Sequence, residues 1–243
     1  MRVFYGLDNL PALRNAVATM GSFAGVHSGH RALLGKVKQI AAEVGGESVV
    51  LTFEPHPRYV LGTGERMSLL TTLEEKLWLL ERAGIDNVIV IRFTTEFSQL
   101  TPEEYIEQVV ARLNLNALVV GYNHRFGHKK EGNYDLLERR HDIKVYMVEQ
   151  QQVVGSKVSS TIVRQLLSRG LTQKASTLLG HPYTILCDFQ EDGSAQVDEH
   201  KLLPMEGSYD AEVDGQSVAL VIEAKRRLRT ESSLKGKVMV QLK

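Results

Sequence analysis

Through the first three quarters of the chain, short apolar runs alternate with stretches whose apolar residues recur every third or fourth position. This pattern predicts a parallel sheet covered by helices, an α/β fold of Rossmann-like type. Ala16–Met20 reads as a buried strand, and Ala32-Leu33-Leu34, Val37 and Ile40-Ala41 mark a helix face from His30 onward. Ser48–Phe53 is a second strand. Leu73, Leu77, Leu80 and Ala83 form one helix face ending near Gly84, and Asn87–Ile91 is the next strand. Thr101-Pro102-Glu103-Glu104 reads as a helix start, with a capping hydroxyl, proline at the first helical position and acid in the first turn. That helix is expected to run through Ile106, Val109-Val110 and Leu113, before strands at Ala117–Val120 and Lys144–Val148. After Gly180-His181-Pro182-Tyr183 the pattern becomes short alternating strands punctuated by Asp192-Gly193, Glu206-Gly207 and Asp214-Gly215, the hairpin signals of a small antiparallel sheet or barrel. The expected division is an α/β domain over 1–183 and a small β-rich domain over 184–243, the latter, at roughly 60 residues, marginal for independent folding.

Charge narrows the partners. With 29 basic and 29 acidic residues the net charge is zero, so nothing in the overall field favours nucleic acid or a membrane surface, and any phosphate site must be local. Cys187 is the only cysteine. That excludes an intrachain disulfide framework and a cysteine-rich zinc site, and fits a reducing compartment. The sequence shows neither a signal segment nor an apolar run near the roughly 20 residues of a spanning helix, so a cytoplasmic location is expected.

The candidate chemistry lies where strands end. Met20–Arg31 carries Gly21, Gly25 and Gly29 with His27 and His30, at the point where a strand hands over to a helix. The glycines allow close approach of backbone to a ligand, and the helix N-terminus offers N–H groups to phosphate. Two imidazoles beside them suit charge that builds during nucleotidyl transfer. Ligands of open α/β sheets gather at the carboxyl ends of strands, where Phe53, Pro55, His56 and Pro57 and the loop with Asn123 and Arg125 also fall. Asn123 and Arg125 read as nucleotide binders or as a plain turn, and His56 as a binder or a loop-packing residue. Ser159, Ser160 and Thr161 form a helix N-cap that, with Arg164 one turn along, could also grip phosphate oxygens. Lys129 and Lys130 read as a solvated pair. His124, His128, His141, His181 and His200 have no metal-ligand spacing and read as structural or exposed, and no protein metal site is expected.

Gly21-Ser22-Phe23-Ala24-Gly25-Val26-His27-Ser28-Gly29-His30 resembles the G-x-F-D-G-x-H-x-G-H signature of the H-x-G-H nucleotidyltransferases. Four further blocks follow in order: Thr52–Pro57, Leu70–Lys76, Gly121–Gly127 and Lys157–Arg164. Together they resemble the FAD synthetase module of bacterial-type riboflavin kinase/FAD synthetases over residues 1–183. The resemblance implies transfer of AMP from MgATP to FMN, giving FAD and pyrophosphate, with Mg²⁺ carried by the nucleotide. It implies that His27, His30 and Arg164 act on the phosphates, and that Gly21, Ser22, Phe23, Gly25, Gly29, Asn123, Arg125, Ser159, Ser160 and Thr161 hold the nucleotide. Phe53, Pro55, His56 and Pro57 would lie on the flavin side. Two departures stand out: Ala24 occupies the place of the pattern's Asp, and the tail has no match to the G-x-P-T-A-N motif of the kinase module. A reduced kinase-like barrel without riboflavin kinase activity is therefore expected. The rival reading is a degenerate homologue that binds flavin or adenine nucleotide as a sensor or partner subunit. A third is transfer to another phosphate acceptor.

Overall fold

The computed structural model describes residues 1–8, 10–63, 67–140, 143–150, 152–153 and 156–243. It divides into two compact units, the first comprising 1–23, 30–66 and 80–151, the second 24–29, 67–79 and 152–243. His141 lies outside the described residues.

The first unit is built on six parallel strands: β1 (Arg2–Tyr5), β2 (Val17–Met20), β3 (Ser48–Glu54), β4 (Asn87–Arg92), β5 (Ala117–Gly121) and β6 (Lys144–Val148). Their spatial order is β1-β4-β3-β2-β5-β6. Val17, Ala18 and Thr19 of β2 pair in parallel with Ala117, Leu118 and Val119 of β5. Because side chains alternate across a strand, the two faces need separate covers. On one, Val17, Ala117 and Val119 pack with Val37, Ile40 and Ala41 of α1 (Ser28–Glu43). On the other, Ala18, Met20, Val49, Leu51, Leu118 and Val120 pack with Tyr105, Ile106, Val109 and Leu113.

Short helices fill the connections: α2 (Pro57–Val60), the longer α3 (Leu73–Arg82), of which 73–79 belong to the second unit, α4 (Thr95–Ser98), α5 (Pro102–Tyr105) and α6 (Tyr134–Glu138). Thr101 caps the helix as expected, its hydroxyl accepting from Glu104 N, and the Glu104 carboxylate completes a capping box by accepting from Thr101 N. The helix that follows is not regular. It continues as a π turn over Ile106–Val110 and a 3₁₀ turn over Ala111–Leu113, and still presents Ile106, Val109, Val110 and Leu113 to the core.

The second unit holds a two-stranded ribbon, β7 (Gln152–Val153) and β8 (Ser156–Lys157), two helices, α7 (Ser160–Leu167) and α8 (Thr172–Leu179), and a closed antiparallel barrel. The barrel strands are β9 (Tyr183–Phe189), β10 (Ser194–Gln196), β11 (Gly207–Val213), β12 (Gln216–Glu223), β13 (Arg227–Arg229) and β14 (Gly236–Leu242), in the spatial order β10-β13-β12-β11-β14-β9. Closure leaves no unpaired edge in the ring. Ile185, Cys187, Ala211, Leu220, Ile222, Leu228 and Val240 point inward and join Val163, Leu167, Ala175 and Leu179 of the helices in one core. Burial pushes the Cys187 thiol up to about 12, in keeping with a structural role.

Asp214-Gly215 makes the expected two-residue hairpin, with Val213 opposite Gln216. Glu206-Gly207 does not turn a hairpin: Gly207 is the first residue of β11 and pairs with Ile222. The hairpin between β12 and β13 turns instead at Lys225 and Arg226, both left-handed, which carried no glycine signal. Among the described residues no helix is long and apolar enough to cross a membrane.

Candidate active site

Strand order in the first unit marks a crevice. From β2 the chain moves through β3 to β4 on one side, and from β5 to β6 on the other, so β2 and β5 are neighbours at the point where the winding reverses. At such a switch point the connections leave in opposite directions and open a cleft beyond the strand ends. Gly21, Ser22 and Phe23 leave β2 there, and Gly121–Gly127 leaves β5.

Two contacts and one close approach tie these segments together within the unit. The Thr52 hydroxyl donates to the Ser22 carbonyl at 3.4 Å, linking the end of β3 to the turn after β2. The Phe23 and His30 rings lie 5.0 Å apart between centroids, so the second histidine is packed from its first turn of α1. A Cβ built at Gly121 would meet Asn123 Oδ1 at 3.7 Å and Leu33 Cδ1 at 4.0 Å, which sets Asn123 beside the helix face one turn beyond His30. Asn123 and Arg125 are exposed. His124 is half-buried and stacks on Phe126, with centroids 5.7 Å apart.

The aromatic expected on the flavin side is part of a larger cluster. Phe53 contacts Phe93 and Phe97, Phe97 contacts Tyr105, and Tyr105 contacts Phe126. Pro55 follows a cis peptide bond after Glu54. His56 caps α2, its Nδ1 accepting from Arg58 N at 3.2 Å, and Pro57 opens that helix. His56 thus packs its loop as one of its two readings has it, and the segment becomes helical from Pro57.

His27, Gly25, Gly29, Ser159, Ser160, Thr161 and Arg164 belong to the second unit. Ala24–Val26 forms a single 3₁₀ turn before His27, and Phe23, Gly25 and Val26 have φ of 47°, 72° and 40°. A β-branched residue in that region is strained, and such strain persists only where the surroundings enforce it. The surroundings here are specific. Gly25 N donates to Thr71 Oγ1 at 3.1 Å, the Gly25 carbonyl lies 3.0 Å from His181 Nε2, and Ser28 Oγ donates to the Leu178 carbonyl at 2.8 Å. A side chain at Gly25 would meet Leu179 and Leu70 at 3.1 and 3.2 Å, so glycine is required by both space and φ. Ala24 is 6% exposed, a methyl filling the place of the pattern's carboxylate.

His27 is buried, and a Cβ at Gly29 would touch its ring at 3.3 Å. Desolvation lowers its pKa from 6.5 to about 4; a backbone hydrogen bond opposes this and His181 adds to it. Burial lowers His124 to about 4 as well. The unfolded chain therefore takes up protons on these rings near pH 6.5 that the folded chain refuses until near pH 4. Stability is expected to be whole above pH 6.5 and to fall as pH drops toward 4, with His27 alone contributing roughly 3 kcal/mol of loss. Urea titrations at stepped pH measure this, and a midpoint constant from pH 7 to 4.5 contradicts it.

Ser159 caps α7, its hydroxyl accepting from Ile162 N at 3.4 Å, as the capping reading has it. Arg164 Nε donates to the Ser68 carbonyl at 3.2 Å. The second unit also contains residues to which the sequence reading gave no role in the site: Thr71 and Glu75 of the Leu70–Lys76 block, His181, read as structural or exposed, and Lys201. Thr72-Leu73-Glu74-Glu75 is a capping-box pattern, and the box forms, with Glu75 Oε2 accepting from Thr72 N at 2.9 Å and Thr72 Oγ1 accepting from Glu75 N at 3.3 Å. Glu75 and Lys201 are both fully buried and 2.6 Å apart.

A parallel sheet with a switch-point crevice, an H-x-G-H turn and a companion barrel define a nucleotidyltransferase-type fold. A family model described as FAD synthetase matches residues 10–162, and this chain belongs to that family. A protein named FAD synthetase from Listeria monocytogenes is 34% identical over 204 residues, 81% of this chain and 80% of that one. The chain is 38% identical over 173 residues to a bifunctional riboflavin kinase/FMN adenylyltransferase of the same organism, and 36% to one of Bacillus subtilis. It spans 55% of the length of each of those two. A solved structure titled macrolide-efflux protein from Streptococcus pneumoniae shares the fold, with a TM-score of 0.85 at 22% identity over 100% of this chain and 98% of that one.

Proposed function

We propose that the chain is an FMN adenylyltransferase that joins ATP and FMN to give FAD and pyrophosphate. The observation that carries this reading is the H-x-G-H turn at the end of β2, at the β2/β5 switch point, in a member of the FAD synthetase family. In the proposed reaction an FMN phosphate oxygen bonds to the α-phosphorus of ATP while the bond from that phosphorus to the bridging oxygen breaks, and pyrophosphate leaves. No protein nucleophile is needed, so catalysis rests on positioning and on neutralising charge. His27, held neutral by burial, donates one N–H to a phosphate oxygen, and His30 does the same from the first turn of α1. The N-terminus of α7, with Ser160 and Thr161, and the guanidinium of Arg164 take further phosphate oxygens. Asn123 and Arg125 serve the nucleotide, and the segment from Phe53 to Pro57 the flavin.

Among the described residues no group of three or more His, Cys, Asp or Glu side chains is placed to hold a metal ion. Mg²⁺ fits this reading as an ion carried on the ATP phosphates, whose charge it offsets with few protein ligands. We assign adenylyl transfer to residues 1–183, and treat 184–243 as a reduced kinase-like barrel without kinase activity.

Incubating the purified chain with MgATP and FMN and resolving the flavins is expected to yield FAD, and MgATP with riboflavin to yield no FMN. Absence of FAD in folded protein that binds both substrates overturns the reading in favour of a binding homologue.

A further inference from the structure

The barrel touches the catalytic turn through a continuous set of polar contacts within the second unit. Lys201, which follows β10, has its ammonium fully buried with three acceptors: the Leu70 carbonyl at 2.8 Å, Glu75 Oε2 at 2.6 Å and the Thr184 carbonyl at 2.6 Å. Three donors meet three acceptors, so nothing on this ammonium is left unmade. The backbone beside it is clamped as well. Leu69 N donates to the His200 carbonyl at 2.6 Å and Leu202 N to the Leu69 carbonyl at 2.7 Å. Glu75 uses its other oxygen to accept from Leu186 N of β9 at 2.7 Å. Residues 69–75 are therefore fixed by the barrel at both ends. Between those fixed points stands Thr71, whose hydroxyl accepts from Gly25 N, two residues before His27.

We propose that Thr71 and Lys201 are positioning residues for His27, and that this is what the β-barrel contributes to adenylyl transfer: it sets the Thr71 hydroxyl, which holds the strained turn that aims the imidazole. The inference rests on the proposed role of His27. Neither residue need meet substrate. Lys201 fixes where Leu70 and Glu75 lie, Thr71 follows, and the Gly25 N–H takes its direction from Thr71. The turn is held away from a relaxed form, because Val26 sits in a region that β-branched residues avoid. Loss of the one hydrogen bond to Gly25 N should let it drift, and small misplacements of a catalytic group reduce turnover steeply.

Thr71→Val keeps shape and removes the acceptor, whereas Thr71→Ser keeps the acceptor. With MgATP and FMN, Thr71→Val is expected to lower kcat on the order of tenfold with both KM values within about threefold of the parent, and Thr71→Ser to restore kcat to within about twofold. A second readout is independent of turnover: the NMR titration of the His27 ring, expected near 4 in the parent, should move upward in Thr71→Val and stay in Thr71→Ser. A structural role alone predicts a lower Tm for Thr71→Val with kcat of the folded protein and the His27 midpoint unchanged, and that result overturns the proposal. If the parent forms no FAD, the functional reading fails by itself, and the titration still decides whether Thr71 sets the His27 environment.

Discussion

Lys201→Ala is expected to lower the melting temperature by roughly 6–20 °C. The ion pair with Glu75 has no access to water on either side, with both side chains 0% exposed. Burial pulls the Lys201 ammonium below its ordinary pKa, against the opposing pull of Glu75. Removing one member leaves a buried carboxylate without its cation and strands the Leu70 and Thr184 carbonyls. Breaking a buried pair this way costs about 3–5 kcal/mol, and each kcal/mol lowers the midpoint by roughly 2–4 °C in a chain of this size. The double variant Lys201→Met with Glu75→Gln should recover more than half of that loss. It removes both charges, and the glutamine carbonyl can still accept from Leu186 N. Thermal unfolding of the parent, Lys201→Ala and the double variant measures this, and a single variant within about 2 °C of the parent removes the pair from the list of structural anchors.

His30→Ala is expected to reduce FAD formation on the order of a hundredfold or more while the chain stays folded. A preorganised donor to developing charge contributes about that much, because it acts where water is excluded and needs no rearrangement. The ring also packs on Phe23, so a small loss of thermal stability should accompany the loss of turnover. The two effects are separable by comparing kcat with the unfolding midpoint. Turnover within twofold of the parent would take His30 out of the reaction.

Local pattern carried the sheet and lost the clasp. β3, β4 and β5 were legible because strands buried on both faces leave uninterrupted β-branched runs such as Val88-Ile89-Val90-Ile91. β1 was not, since Arg2–Tyr5 is four residues with no such run. The helix after Thr101 announced its start through capping chemistry, but nothing in its composition marks the change to π and 3₁₀ turns, which is decided by packing against the sheet. The glycines and histidines of the H-x-G-H turn were enough to single it out as a candidate ligand site. What holds it was not legible. Thr72 to Glu75 is four residues of local signal, whereas Lys201 meets Glu75 across 126 positions and only the barrel fold makes them neighbours. His181 had been read as structural or exposed, and its place against Gly25 depends on α8 and β9 being assembled first.

The turn bearing His27 takes its supports from far along the chain. Its partners Leu178 and His181 lie 150 and 156 residues downstream. The clamp on Thr71 waits for Lys201. During translation from the N-terminus, β2 and α1 can dock on the growing sheet while the six residues between Phe23 and His30 remain without their hydrogen-bond partners. The turn proposed to bind phosphate is thus tied to completion of the second unit. A ribosome-bound or truncated chain ending near residue 162 can carry the whole stretch that the family model matches and still lack the contacts that shape its first histidine.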